Sequence, residues 1–289
     1  MSPLLYNLVL EPLLCFLWRQ VSGLHLPGLH FQVSAFCDDI VVAVSQVEDF
    51  RQVEQGLILY EKASNGKINT SKCETLPLTN TSKGLLPGLG QWLSHDQIFQ
   101  HLGVPFHPQC FPFPQDWFNV LLDKLRRTIT SWQKRKISMA GRVLIVNSRL
   151  LSKLWYLAYF VSFPPWFFKV LSRIVSTFLW DSKHPQISLS SIQIPLKAGG
   201  LGLIKPEYQV IATKGWWIKC MAQPAGPEWV SLALHNFEIR YSPVGSSFEV
   251  FGSGVHVAAF RHKGLWRDIF QAWKALQGVM QVHPPGAGN

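Results

Sequence analysis

The chain has 289 residues, of which 47% are hydrophobic, so it is long enough to form one large domain or two modest domains with real cores. Its 27 basic residues outnumber the 17 acidic ones and give a formal net charge of +10, which favours a polyanionic partner, nucleic acid first and an anionic membrane second. The five cysteines are widely spaced without a C-x-x-C pair, which argues against a zinc site or a disulfide framework and favours an intracellular compartment, nuclear or cytoplasmic.

The first predicted element is a helix with the sequence SPLLYNLVLEPLLCFLW, in which Ser2 is a suitable N-cap and Pro3 suits the first turn. Its residues are apolar around the whole circumference, so we expect the helix to be buried. Because a domain rarely begins with a bare buried helix, we also expect a further segment of protein upstream of Ser2.

Two adjacent carboxylates, Asp38 and Asp39, interrupt the next apolar run. Residues 31–36 alternate as a strand and residues 40–44 continue as a second strand, which places Cys37, Asp38 and Asp39 at a tight hairpin. Two like charges at such a tip are tolerable if water solvates both, or if a divalent cation such as Mg²⁺ neutralises both. The dipeptide alone leaves two interpretations open: a solvated turn, for which aspartate is a favoured residue, or a pair of metal ligands.

The remaining elements are mostly helical, so the outline is α+β. The longest apolar stretch, residues 154–171, is divided by Pro164 and Pro165, which predicts two packed elements rather than a membrane span. Periodicity and turn residues predict an amphipathic helix over 47–64, a turn and short strand over 65–78, a loop over 80–90 and a short strand pair over 99–106. They then predict three helices: one that is capped by Asp116 and ends at 135, one over 138–160 and one over 164–180. The last predicted elements are a Gly-rich loop over 195–206, a helix over 208–222, loops and short elements over 221–264, and a helix over 265–280.

The excess positive charge is concentrated between Leu121 and Lys153, where nine basic residues accompany the single acid Asp123. Basic side chains neutralise phosphates and release counterions, and aromatic side chains can stack on bases. The candidates for contact with nucleic acid are Arg135, Lys136 and Arg142. The alternative is an ordinary solvated helix face with its tryptophans in the core.

The sequence resembles the reverse transcriptases of LINE-type non-LTR retrotransposons over about residues 1–220. FCDD between apolar strands resembles the Ala-Asp-Asp box of that family, with Cys37 in place of the usual alanine. SPLLYNLVLEPL resembles the palm helix of that family, SNGKINTSKCE the palm element after the box, and HLGVPF the hairpin near the primer end. SWQKRKISMAGRVLIVNSRLLSKLWY resembles the helical thumb, and PLKAGGLGL resembles the region after the thumb.

This resemblance implies a domain organisation and roles for individual residues. It implies a partial palm over 1–78, a linker and primer-grip-like hairpin over 79–115 and a helical thumb-like region over 116–220. The local pattern after residue 220 predicts a C-terminal extension over 221–289 that is partly disordered. It also implies that Asp38 and Asp39 are the catalytic ligands of Mg²⁺, with Asp38 as the more direct one. Lys67 and Lys72 match basic positions near the incoming nucleotide, with a solvated turn as the alternative for both.

Several parts of such a polymerase have no counterpart in the sequence: a third carboxylate from an upstream palm strand, the fingers, and the endonuclease domain. The sequence therefore predicts a remnant of an RNA-directed DNA polymerase that is inactive as this chain. The alternatives are a sequence-independent nucleic-acid-binding fragment without catalysis, and a relic with no selected function. We expect an RNA or DNA template-primer as ligand, no small-molecule cofactor, no membrane contact, and a protein partner over an exposed apolar edge of the palm.

Overall fold

A computed structural model describes residues 3–78, 89–94, 97–106, 113–181, 184–221, 227–241 and 265–277. The chain divides into two compact units. The first unit contains Met1–Gln109 and Ala225–Pro243, and the second contains Cys110–Pro224 and Val244–Asn289. The border near residue 110 lies within the segment that was predicted as linker and hairpin, and the mixture of helices with short strands agrees with the predicted α+β class.

The first unit combines three helices with short strand pairs. The antiparallel hairpins are β1–β2, β3–β4 and β7–β8, and β5 pairs in parallel with β6. Its elements are α1 (Pro3–Gln20), β1 (Leu24–Leu26), β2 (Leu29–Phe31), β3 (Val33–Phe36), β4 (Asp39–Val42), α2 (Val47–Ser64), a 3₁₀ turn (Thr70–Lys72), β5 (Glu74–Thr75), β6 (Gln91–Trp92), β7 (Phe99–His101), β8 (Val104–Phe106) and, from later in the chain, α9 (Glu228–Tyr241).

The core of the first unit lies between α1, α2 and the β3–β4 hairpin. Leu10, Leu13 and Leu17 recur on one face of α1 and are almost fully buried. Side chains from both strands and from α2 pack against them, and these include Val33, Ile40, Val42, Val53, Leu57 and Tyr60. Burial of a leucine side chain contributes roughly 2 kcal/mol, so this small cluster is what holds the hairpin against the two helices.

Only one face of α1 is buried, so the prediction of a helix buried all round was wrong. Leu4 is 74% exposed and Leu8 is 69% exposed, on the side opposite Leu10 and Leu13. The physical reason is that the core of this unit is small: a single hairpin and a single helix cover α1 from one side only among the described residues. The protein partner expected over an apolar edge stays a prediction.

Residues 23–30 contain most of the β1–β2 hairpin, in which residues 27–28 form the turn. One further expectation for the first unit was wrong. Residues 221–264 were expected to be loops and short elements, but they contain the helix α9, whose Val230 and Ala233 are buried. Residues 242–264 and the tail after 277 lie outside the described residues.

The second unit is helical. Its elements are α3 (Gln115–Gln133), α4 (Met139–Ile145), a π-helical turn (Val146–Leu151), α5 (Ser152–Ala158), α6 (Pro165–Trp180), α7 (Leu189–Gln193), a 3₁₀ turn (Leu196–Ala198), α8 (Pro206–Met221) and α10 (Leu265–Gln277). Its core includes Leu125, Leu154 and Leu171, all fully buried. The helix α3 begins after Pro114, not after Asp116 as expected; Asp116 lies inside the first turn, where its charge still favours the helix dipole.

The predicted helix over 138–160 is interrupted by the π-helical turn. Ser138 is its N-cap as expected, and its hydroxyl accepts a hydrogen bond from the Gly141 N–H. Within the π turn, the Asn147 side-chain amide donates to the Gly202 carbonyl at 2.9 Å and accepts from the Ile204 N–H at 3.0 Å. Asn147 therefore fastens the predicted Gly-rich loop to this helix.

One lysine is buried in the second unit. Lys214 of α8 is 2% exposed, and its ammonium donates to the Val161 carbonyl at 3.0 Å. Burial lowers its pKa to about 8, although the charge of Asp268 on α10 raises it in part. In the described part of the chain, no helix combines the length and apolar character needed to cross a membrane.

Candidate functional site

The two aspartates lie at the tip of the β3–β4 hairpin. Phe36 pairs with Asp39, so the connection is only two residues long, Cys37 and Asp38, and Asp39 is the first residue of β4. Cys37 has a φ of +54°, in the left-handed region that tight hairpin turns use and that favours glycine. Both aspartates are exposed. The predicted tight hairpin is therefore present, and its turn projects two carboxylates from a stiff connection.

A tyrosine on the opening helix lies next to this tip. Burial raises the pKa of the Tyr6 hydroxyl, and the nearby charges of Tyr60 and Asp38 raise it further. Tyr6 also packs against the core cluster of α1. No feature of the sequence selects Tyr6, since it appears there as one more large residue in an apolar helix.

A third aspartate, Asp49, holds the base of the hairpin, and its role was not predicted from the sequence. One carboxylate oxygen accepts from the Ser22 N–H at 2.7 Å, and the other accepts from the Ser45 N–H at 2.8 Å and the Gln46 N–H at 3.3 Å. Asp49 is 1% exposed. Asp49 thus joins the end of α1, the end of the hairpin and the first turn of α2. The only feature of the sequence that could have indicated this role is an acidic residue at the third position of a predicted helix.

The chemistry of the hairpin tip suits a hard cation but supplies few ligands. Carboxylate oxygens are the donors that Mg²⁺ prefers in proteins. Within the described ranges, however, no group of three or more His, Cys, Asp or Glu side chains is placed to hold a metal ion. Asp38 and Asp39 could therefore hold a metal only together with oxygens from substrate, water or another segment of protein.

The two predicted nucleotide-contacting lysines follow α2. Lys67 lies in the irregular segment between α2 and the 3₁₀ turn Thr70–Lys72, and Lys72 ends that turn. Both are exposed, and in the part of the chain that the structure describes neither forms an ion pair with Asp38 or Asp39. Their side chains are accessible to a ligand, and their contact with a nucleotide stays a prediction.

The three predicted nucleic-acid-contacting residues differ in their surroundings. Arg135 and Lys136 are exposed just after α3, and the Arg135 guanidinium lies 4.3 Å from the centre of the Trp132 ring. The Arg142 side chain is only 13% exposed. Its guanidinium donates to the Phe178 carbonyl at 2.6 Å and to the Asp181 carboxylate at 3.3 Å, which closes the C-terminal end of α6. Arg142 therefore caps α6 within the protein, a role that its position in the basic segment 121–153 did not predict.

Comparison with known proteins adds a relative from a mobile element. No protein-family model matches the chain. Over 240 residues, or 81% of the chain, it is 30% identical to a Xenopus laevis protein described as the transposon TX1 uncharacterized 149 kDa protein. The chain is thus similar to a transposon protein. It spans only 18% of the length of that relative, so the transposon part of the predicted identity has support, whereas the reverse transcriptase part stays a prediction.

Proposed function

We propose that this chain is the palm and thumb portion of a reverse transcriptase from a LINE-type retrotransposon. The observation that carries the proposal is the position of the two aspartates at a hairpin tip: Asp38 lies in a two-residue turn, and Asp39 directly follows it, between strands that pack on α1 and α2. A turn of this kind fixes two carboxylates at a tip that solvent and substrate can reach. The similarity to a transposon protein over 81% of the chain supports the same assignment.

In this proposal the residues of the hairpin and of the following segment divide the work of nucleotide addition. Mg²⁺, when bound, neutralises the phosphates of the substrate and stabilises the attacking and leaving oxygens. Asp38 and Asp39 would hold the cation, Asp49 and Tyr6 would keep the hairpin in place, and the exposed ammonium groups of Lys67 and Lys72 would contact the phosphates of the nucleotide.

We further propose that the chain on its own does not extend primers, because Asp38 and Asp39 have no third carboxylate beside them among the described residues. The test is primer extension by the full chain on an RNA template with a DNA primer, in Mg²⁺. We expect no extension, with Asp38→Asn as the matched control. Extension that Asp38→Asn abolishes would overturn the proposal of inactivity and would establish the polymerase assignment.

The polymerase assignment has its own test, because a second segment of protein can supply a third carboxylate, which Asp38 and Asp39 do not have beside them among the described residues, together with a wall for the nucleotide. The measurement is extension after addition of a separate segment of the transposon relative from outside the 240 matched residues. Extension that requires both segments and that disappears in Asp38→Asn supports the assignment. Extension that is unchanged in Asp38→Asn would contradict it.

A second candidate function is sequence-independent nucleic-acid binding without catalysis. The observation that favours it is the exposed run Lys134–Lys136 after α3, with Arg135 over the Trp132 ring. Each duplex phosphate that a basic side chain neutralises contributes about 0.9 to the slope of log affinity against log salt. For Arg135→Ala/Lys136→Ala we therefore expect a slope reduced by about 1.8. The matched control is Lys197→Ala/Lys219→Ala, which removes two exposed cations elsewhere in the second unit; an equal reduction in the control would contradict a localised site.

A further inference from the structure

An open groove of about 620 Å³ lies in the second unit, between the N-terminal half of α6 and the start of α8. Neither the hairpin tip nor the run Lys134–Lys136 lines it. The side chains that characterise it are two cations, two aromatic rings and one carboxylate: Lys169, Arg173, Phe163, Phe168 and Glu207.

The cations of the groove are exposed and available to a ligand. Lys169 and Arg173 are four residues apart on α6, so their side chains leave the same face of the helix with Cβ atoms roughly 5–6 Å apart. In the described portion of the chain, neither forms an ion pair with an acidic side chain. Glu207, the only acid of the groove, belongs to the first turn of α8, where the helix dipole offsets its charge. The groove therefore presents two neighbouring positive charges, one helical turn apart on α6.

The aromatic rings of the groove are fixed by their neighbours. The centroids of Phe163 and Phe168 are 5.8 Å apart, and Phe163 also lies 4.9 Å from Phe167 and 6.1 Å from Phe118. Phe167 is fully buried, whereas Phe163 and Phe168 are half-buried. A buried ring cluster thus holds two partly exposed rings against the groove, and rings held in this way lose little conformational entropy when a planar group stacks on them.

We propose that this groove binds a single-stranded segment of RNA or DNA. Lys169 and Arg173 contact successive phosphates, and an unpaired base stacks on Phe168, with Phe163 behind it. A cationic track beside aromatic rings is the combination that recognises single strands irrespective of sequence, and a paired base cannot place its face on a ring inside a groove. The inference rests on the proposed nucleic-acid function, and it adds a site with its own strand preference.

The experiment measures fluorescence anisotropy of the full chain with a short single-stranded RNA and with a blunt duplex of the same sequence, across a range of salt. Each neutralised phosphate of a single strand contributes about 0.7 to the salt slope, so Lys169→Ala/Arg173→Ala is expected to lower the slope by about 1.4 and the single-strand affinity roughly 25-fold at about 0.1 M salt. Phe168→Leu removes the stacking face and is expected to weaken single-strand binding about fivefold or more with an unchanged slope. Neither variant changes duplex affinity.

The control Lys197→Ala/Lys219→Ala keeps wild-type affinity for the single strand. Equal decreases in duplex and single-strand affinity, wild-type affinity in the Lys169→Ala/Arg173→Ala variant, or no single-strand binding by the wild-type chain would each overturn the inference. The Arg135→Ala/Lys136→Ala variant separates it from the proposed function. If duplex binding depends on Arg135 and Lys136 and the groove variants bind like wild type, nucleic-acid binding by the chain is supported and the groove site is rejected. If single-strand binding depends on Lys169 and Arg173 and the Arg135→Ala/Lys136→Ala variant binds like wild type, only the groove site is supported. Should Phe168→Leu not fold, the two surface cation substitutions still decide the result.

Discussion

Replacement of Asp49 by Asn tests how the candidate catalytic hairpin is held in place. The substitution keeps the size of the side chain and one acceptor oxygen, but its NH₂ group must face either the Ser22 N–H or the Ser45 N–H, which now donate at 2.7 and 2.8 Å. A hydrogen bond to a charged group contributes about 1.5–3 kcal/mol, and a buried donor without an acceptor costs about 1–3 kcal/mol. We therefore expect the free energy of unfolding to fall by about 3 kcal/mol at neutral pH.

The pH dependence of this difference has a definite sign. Burial alone would raise the pKa of Asp49, but the backbone amides of Ser45 and Ser22, with the side chains of the same residues, lower it by more. A carboxyl group whose folded pKa lies below its unfolded value of about 3.9 stabilises the protein fully above about pH 5, and this contribution is lost as the pH falls through the folded pKa. The stabilities of wild type and Asp49→Asn are therefore expected to converge in acid.

The measurement is urea unfolding followed by circular dichroism, at neutral pH and at about pH 3, with hydrogen exchange of the peptides that contain Ser22 and Ser45 as the local readout. Glu48→Gln is the matched control, because Glu48 makes only exposed side-chain contacts in the described structure, an ion pair with Arg51 and a hydrogen bond from Gln52, and its replacement should change stability by less than about 1 kcal/mol. Equal stabilities of wild type and Asp49→Asn at neutral pH, or a deficit that persists undiminished in acid, would refute the reasoning.

Three further substitutions test the framework around the sites. Because the pKa of Lys214 is about 8 in the folded protein, wild-type stability should rise by about 3 kcal/mol between about pH 8 and 10.5 relative to Lys214→Met, whereas Lys219→Met, an exposed control, should follow wild type in urea unfolding. Arg142→Lys replaces a forked cap of α6 by a point charge and should cost about 1–2 kcal/mol in thermal unfolding; the exposed Arg149→Lys should not. Cys37→Val places a β-branched residue at a φ of +54° and should destabilise the first unit by about 1–2 kcal/mol, while Cys37→Gly should not; equal effects of the two would contradict strain at the turn.

The hairpin could be predicted because all of its signals are local. Alternating apolar residues, two turn-forming aspartates and a β-branched run follow one another within about a dozen residues, and each favours the same structure. The same holds for the helix that begins at Ser138, where the capping serine directly precedes the first turn. Tertiary contacts were not needed to select these elements.

The parts that could not be predicted depend on contacts between distant residues. The Asp49 carboxylate binds the Ser22 N–H, 27 residues earlier, and Asn147 binds a loop 55 residues later. Neither partner is recognisable from the residue types around it. The exposure of Leu4 and Leu8 was missed for a related reason: an apolar helix indicates that a core is available, but the size of that core depends on how many other elements pack on the same helix.

Which basic residues are free to bind a polyanion also depends on contacts between distant residues. Composition and clustering treat Arg135, Lys136 and Arg142 as equivalent, yet Arg142 directs its hydrogen bonds to the end of α6 and would have to leave these internal acceptors to contact a phosphate. Lys169 and Arg173 lie outside the basic segment 121–153, and among the described residues neither forms an ion pair with an acidic side chain. Because the free energy of a phosphate contact comes from releasing counterions rather than from breaking internal bonds, the exposed pairs Arg135–Lys136 and Lys169–Arg173 should determine the salt dependence of binding, and Arg142 should contribute nothing to it.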